Sequence, residues 1–69
     1  MKRKKTFEVE YNYFEPGTLV RPTSPRCPLY TGIYKVTKMY EPIDVTDEAI
    51  CFVDGHSYGI STVYLEEVE

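Results

Sequence analysis

Few residues in this chain have side chains that could do chemistry, and their spacing does not bring them together. There are two cysteines, Cys27 and Cys51, and a single histidine, His56. Nucleophilic catalysis needs a nucleophile beside a base, and the chain has no local Ser-His or Cys-His pattern. A zinc site usually takes four Cys or His ligands, and a C-x-x-C spacing is missing. The sequence therefore predicts a protein that is not an enzyme and has neither a metal site nor a cofactor.

The remaining candidates for chemistry have simpler structural explanations. Asp44, Asp47 and Glu48 fall in one short segment, but their spacing lacks the alternating ligands and the glycine of an EF-hand. Each glycine is isolated, so no phosphate-binding loop is present. Cys51 lies in the apolar run AICFV and is expected to behave as a small buried hydrophobe, with a disulfide to Cys27 as the alternative. His56 is expected to be a solvated turn residue.

Tyrosine and arginine are the residue types that favour protein binding. Seven tyrosines in 69 residues either straddle the edge of a thin core or line a recognition surface, because each has an apolar ring and a polar hydroxyl. Tyr and Arg are enriched at interface hot spots. A groove between two loops is the predicted partner site. Its predicted residues are Arg21, Arg26, Tyr30, Tyr34, Tyr40, Asp44 and Asp47.

The charge is divided unevenly along the chain. Residues 1–5, MKRKK, carry four of the eight basic side chains, so residues 6–69 hold four basic and eleven acidic groups. Nucleic-acid binding depends on Lys and Arg displacing counterions, which makes a nucleic-acid partner unfavourable for this acidic body. We expect residues 1–5 to be a disordered tail and residues 6–69 to be one domain. Nucleic-acid contact through Lys2, Arg3, Lys4 and Lys5 is the alternative function.

The hydrophobic pattern predicts short strands. Residues 6–14 alternate between apolar and polar side chains, which is typical of a half-buried strand. Further strands are expected at residues 18–21, 32–40, 49–53 and 65–68. Pro16-Gly17 predicts a turn, and Asp54-Gly55 predicts a hairpin. Residues 22–31, with three prolines, form a long loop, and Ser61 is expected to cap one helical turn that ends at Tyr64.

In their order, four segments resemble the SH3-like barrel superfamily: PGTLVR, GIYKV, AICFVDG and YGISTVYLEEVE. The resemblance covers about residues 14–69, and it implies a small barrel of five to six strands with one terminal helical turn. Within that superfamily the chain is similar to small accessory subunits on the stromal side of photosystem I, which implies a non-catalytic subunit that helps a partner to dock. It is also similar to KOW-type barrels of ribosomal and transcription proteins, which implies RNA or polymerase contact.

These observations predict an all-β, non-catalytic protein-binding module that acts as an adaptor, regulator or accessory subunit. The start of the chain lacks the apolar stretch of a secretory signal, and no run reaches the ~20 apolar residues of a membrane span. We therefore expect a cytoplasmic protein with a protein partner. The sequence leaves its oligomeric state open.

Overall fold

A computed structural model describes residues 2–6, 9–29 and 31–68. In this part of the chain it contains strands and a single 3-10 turn. The strands are β1 (Lys2–Thr6), β2 (Val9–Tyr13), β3 (Leu19–Pro22), β4 (Tyr34–Tyr40), β5 (Ile50–Val53), β6 (Ile60–Ser61) and β7 (Leu65–Glu67), and the 3-10 turn is Thr62–Tyr64. No helix of the described residues is long and apolar enough to cross a membrane.

The strands form two antiparallel sheets. The first pairs β1 with β2, and the second has the order β6-β5-β4-β3-β7. The all-β prediction is therefore confirmed. Neither sheet closes on itself through the described strands, and the SH3-like barrel stays a prediction.

The prediction of a disordered tail differs from the structure. Lys2–Thr6 is a strand, and it pairs with Val9–Tyr13 in a register that sets Lys4 opposite Tyr11. Of the predicted strand over residues 6–14, Val9–Tyr13 forms β2, whereas Thr6 is the last residue of β1 and residues 7 and 8 lie outside the described residues. The side chains of this strand are stabilised within the protein. Arg3 has an acceptor in Asn12, and Lys4 contacts Glu41 and the ring of Tyr13.

Two turns form where the sequence placed them. Gly17 and Gly55 have φ angles of 96° and 84°, which glycine adopts without the steric cost that other residues meet. The first turn is fixed to β4, since the amide of Gly17 donates to the carbonyl of Val36 at 2.8 Å. The second joins β5 to β6, as the Asp-Gly pair predicts.

The 3-10 turn begins at Thr62, and the predicted cap differs from the structure. Ser61 has an extended backbone, but its hydroxyl is buried and has no hydrogen-bond partner among the described residues. The amide of Thr62 donates instead to the carbonyl of Ala49 at 3.0 Å. A backbone acceptor from a neighbouring segment has replaced the side-chain cap.

The core lies on the inner face of the larger sheet. It is formed by nine buried side chains, namely Phe14, Val20, Cys27, Leu29, Val36, Cys51, Val53, Ile60 and Leu65. Leu29 and Cys27 belong to a long loop and not to a strand, so this loop contributes directly to the core. Burial of apolar area is the main favourable term in folding, and here it fixes a loop in place.

Candidate protein-interaction surface

A recess of about 540 Å³ opens in the loop between β3 and β4. We call residues 23–33 the proline loop. Among the described residues, the recess is lined by Pro22, Thr23, Ser24, Pro25, Cys27, Pro28, Leu29 and Thr31. The recess lies in the long loop that the sequence predicts over residues 22–31.

The proline loop is held at several points. Cys27 and Leu29 are buried in the core, and the amide of Thr23 donates to the carbonyl of Tyr64 at 2.8 Å. A tight turn closes where the Cys27 amide donates to the Ser24 carbonyl at 3.0 Å. The ring of each proline fixes its own φ angle. Together these restraints give the recess a defined shape before any ligand arrives.

The two arginines of the predicted site have different surroundings. Arg21, on β3, pairs through its Nε with the carboxylate of Glu66 on β7. Arg26 lies in the proline loop between two residues that line the recess, and its side chain is exposed. Within the described residues, no carboxylate lies close enough to pair with the Arg26 guanidinium. Arg26 is therefore available to a ligand, whereas Arg21 already has a partner.

The predicted tyrosines do not form one groove. Tyr34 and Tyr40 occupy the two ends of β4, about 20 Å apart at the usual rise of a strand. The ring of Tyr34 meets that of His56 edge to face at 5.5 Å, and His56 meets Tyr58 in the same way at 5.4 Å. Tyr30 lies outside the described residues. His56, expected to be solvated, is half-buried within this row of three rings.

Tyr40 belongs to a second aromatic contact on the outer face of the larger sheet. Its ring meets the ring of Phe52 at 5.6 Å and an interplanar angle of 74°. Such edge-to-face contacts add about 0.5–1.5 kcal/mol beyond the area that the rings bury. About half of the Tyr40 side chain still faces solvent, at 52% exposure.

Asp44 and Asp47 organise the loop between β4 and β5. We call residues 41–49 the aspartate loop. One oxygen of Asp44 accepts from the amide and the hydroxyl of Thr46, at 2.8 and 2.7 Å. Asp47 accepts from the amides of Ile43 and Glu48, at 3.0 and 2.9 Å. Both carboxylates therefore have a structural role within the loop.

Hydrogen bonding also tunes the charge of this loop. The hydroxyl and amide of Thr46 lower the pKa of Asp44 from its ordinary value, because they stabilise the ionised carboxylate. Asp44 is thus negative at neutral pH. The aspartate loop contains Glu41, Asp44, Asp47 and Glu48 and no basic residue.

The basic residues at the start of the chain are largely engaged within the protein. Arg3 donates to Asn12 at 2.6 Å and pairs with Glu10 at 3.3 Å. Lys4 pairs with Glu41 at 3.4 Å, and its ammonium lies 3.8 Å from the centre of the Tyr13 ring. Lys5 also has an interaction partner. The side chain of Lys2 lies outside the described part. These contacts reduce the charge available for a phosphate backbone.

Glu41 joins the first sheet to the second. Its carboxylate accepts from the hydroxyl of Tyr11 at 2.6 Å as well as from Lys4. The Tyr11 hydrogen bond is the largest cause of the lowered pKa of Glu41, and Lys4 contributes in the same direction. The amide side chain of Asn12 adds a bond to the carbonyl of Thr62 at 3.1 Å.

Both cysteines are free thiols and both are buried. The prediction that Cys51 is a buried small hydrophobe is confirmed, and the alternative disulfide is not formed. The pKa of Cys51 is raised to about 11, mainly by burial and to a smaller extent by the neighbouring Cys27. The Cys51 thiol is therefore protonated at neutral pH and is a poor nucleophile.

Sequence reasoning missed two exposed aliphatic residues of the aspartate loop. Ile43 and Val45 are 79% and 64% exposed. Sequence reasoning considered only the carboxylates of this segment. Ile43 and Val45 alternate with the polar residues Asp44 and Thr46, and this alternation is the signal that could have placed both on one side of the segment.

Comparisons with protein-family models, with curated proteins and with solved structures found no match. The recess of the proline loop and the exposed apolar residues of the aspartate loop are therefore interpreted from the chemistry of this chain's own residues.

Proposed function

We propose that this chain is a non-catalytic protein-binding module built on an SH3-like barrel. The strand order β6-β5-β4-β3-β7, with a 3-10 turn between β6 and β7, supports the barrel, since the resembling superfamily places a helical turn just before its last strand. Only the first sheet, β1 with β2, is an addition to that plan. The setting we propose is an adaptor, regulator or accessory subunit in the cytoplasm.

The recess of the proline loop is the observation that carries this proposal. Its volume of 540 Å³ suits one or two side chains of a partner, because a cavity of about 150 Å³ already holds a benzene-sized molecule. Binding to a restrained loop orders fewer degrees of freedom, and more of the contact energy then appears as affinity. Cys27, Leu29 and three prolines contribute the apolar part of its lining, and the rest of the lining is polar.

Arg26 indicates the chemistry of the partner. A guanidinium forms directed, paired hydrogen bonds with a carboxylate, and Arg26 has no such pair among the described residues. A partner that places an apolar side chain in the recess and a carboxylate beside Arg26 would occupy the recess and pair with the guanidinium. The partner surface we propose is therefore apolar at its centre and acidic at its edge.

The non-catalytic part of the proposal rests on the surroundings of the reactive groups. His56 packs between the rings of Tyr34 and Tyr58. Cys51 is buried with a pKa of about 11. Within the part of the chain that the structure describes, neither group lies beside a partner with which it could activate a nucleophile.

Affinity purification from the native host with a charge-matched pair of variants tests this proposal. Arg26→Glu reverses the charge at the recess, and Lys38→Glu makes the same charge change at an exposed residue of β4. We expect a protein that is retained by the wild type and by Lys38→Glu and is lost from Arg26→Glu. Circular dichroism checks that both variants fold.

Two results would contradict the proposal. If the wild type, Arg26→Glu and Lys38→Glu all retained the same proteins, the recess would not be part of the binding site. Recovery of RNA or DNA alone, sensitive to nuclease, would favour the alternative in which Lys2, Arg3, Lys4 and Lys5 contact nucleic acid.

A further inference from the structure

The aspartate loop holds two aliphatic side chains in solvent on a rigid backbone. Five hydrogen bonds fix its turn: four are accepted by the carboxylates of Asp44 and Asp47, and the fifth runs from the amide of Asp47 to the carbonyl of Asp44 at 3.2 Å. Pro42 and Ala49 are buried at its two ends. The loop is therefore anchored at both ends and braced in the middle.

Two exposed aliphatic side chains lie among the acidic side chains of this loop. Ile43 is 79% exposed, Val45 is 64% exposed, and Tyr40 precedes them at the end of β4. Single exposed aliphatic residues are common, whereas neighbouring ones can form the apolar part of an interaction surface. Because the backbone is already ordered, burying Ile43 and Val45 against another surface costs little conformational entropy.

The two loops are complementary in charge. The aspartate loop has four acidic and no basic residues, whereas the proline loop has Arg26 and no acidic residue. One loop also presents exposed aliphatic side chains, and the other has a recess of 540 Å³ that Cys27, Leu29 and three prolines help to line. An apolar centre with an acidic edge is the partner chemistry that the recess and Arg26 favour.

We propose that the aspartate loop of one copy of this chain docks into the recess of a second copy. Ile43 and Val45 enter the recess, and the carboxylates beside them face Arg26. The inference rests on the proposed function, in that it takes the recess as a protein-binding site and names the chain itself as an occupant. If both copies exchange loops the assembly closes as a dimer, and if they do not it continues as a chain of copies.

Sedimentation of the purified full chain, from micromolar to millimolar concentration, tests this inference. The wild type should gain mass with concentration. The double variant Ile43→Ser, Val45→Ser and the single variant Arg26→Glu should each weaken self-association by at least ~10-fold, since each removes one side of the contact. Val63→Ser is the matched control, because Val63 is 62% exposed but lies on the 3-10 turn.

Mixing the two defective variants gives the sharpest readout. The loop variant keeps an intact recess, and Arg26→Glu keeps an intact aspartate loop, so one normal contact can form between unlike copies. We expect the mixture to associate where each variant alone does not, and to stop at two copies.

Three outcomes would overturn the inference: a monomer at every concentration, an equal loss in Val63→Ser, or a mixture that stays monomeric. None of them affects the purification result for Arg26→Glu. A recess that captures another protein but not a second copy would therefore reject this inference alone. Failure of the proposed function would appear as unchanged retention by Arg26→Glu.

Discussion

The two long loops of this protein are held in place by different forces. The proline loop places Cys27 and Leu29 in the core and is closed by backbone bonds. The aspartate loop is braced by the carboxylates of Asp44 and Asp47, both of which accept from amides within the loop. One loop is therefore fixed by apolar burial and the other by ionised side chains.

This difference teaches how each loop obtains its surface. Apolar anchors draw the proline loop toward the core and leave a recess beside them. Carboxylates can brace a turn without burial, so the aspartate loop projects and keeps Ile43 and Val45 in solvent. We therefore expect the stability of the two loops to respond differently to truncation of a side chain, to high pH and to low pH.

Truncating an apolar anchor should have the largest effect. Leu29→Ala should lower the free energy of unfolding by about 2–5 kcal/mol, because it removes buried methyl groups and leaves a cavity. Ile43→Ala, the comparable change in the aspartate loop, should leave it almost unchanged since Ile43 is 79% exposed. Thermal melting of both variants measures the difference. Equal losses would show that the aspartate loop also depends on apolar burial.

Alkali should weaken the core beneath the proline loop. The folded state keeps Cys51 protonated up to a pKa of about 11, while the unfolded chain ionises at the lower, ordinary thiol value. Stability is therefore complete below that ordinary value and falls as the pH rises toward 11. Urea unfolding across this range should give a steeper decline for the wild type than for Cys51→Ala.

Tyrosine ionisation contributes equally to both chains in that alkaline experiment, so the difference between the two slopes belongs to Cys51. Parallel slopes would mean that the Cys51 thiol ionises as readily in the folded state as in the unfolded chain. The two loops would then not differ in their response to alkali.

Lowering the pH should have the smallest effect on stability of the three changes. This effect should be confined to the hydrogen bonds of the aspartate loop. The pKa of Asp44 is lowered by its bonds to Thr46, so its contribution is present above the ordinary carboxyl pKa and is lost as the pH falls through the folded value. The Thr46 amide should then exchange faster with solvent, while the Cys27 amide stays protected. Asp44→Ala should cause the same change at neutral pH.

Hydrogen exchange followed by NMR resolves the two amides separately. Simultaneous loss of protection at Thr46 and Cys27 would indicate that acid unfolds the whole molecule at once. If the Thr46 amide exchanged equally fast in Asp44→Ala and in the wild type, the carboxylate of Asp44 would not stabilise the loop.

Turns and most strands could be predicted from the sequence because their causes are local. Pro16-Gly17 and Asp54-Gly55 carry the backbone freedom that their turns need, and Gly17 and Gly55 have positive φ angles in the structure. The strand over residues 2–6 was not predicted, because four basic residues in a row lack the alternation of a half-buried strand. Its contacts include Glu41, from a distant part of the chain, which meets Lys4 and Tyr11.

The candidate site was only partly predictable for the same reason. The proline content of residues 22–31 predicted a long loop, and the structure has a loop between β3 and β4 that contains Arg26. Tyr34 and Tyr40 were grouped by residue type, whereas the length of β4 separates them. The structural role of Asp44 and Asp47 depends on bonds to their own loop that composition does not reveal.

The sequence by itself determined an all-β chain, its two glycine turns and an acidic body, since period-2 alternation, backbone freedom and charge are properties of neighbouring residues. Only the tertiary structure decided which surfaces are available. Cys27 and Leu29 are buried beside the recess, Glu66 pairs with Arg21, Arg26 has no carboxylate partner among the described residues, and Ile43 is left in solvent. These outcomes depend on partners far apart in the chain, which no local pattern specifies.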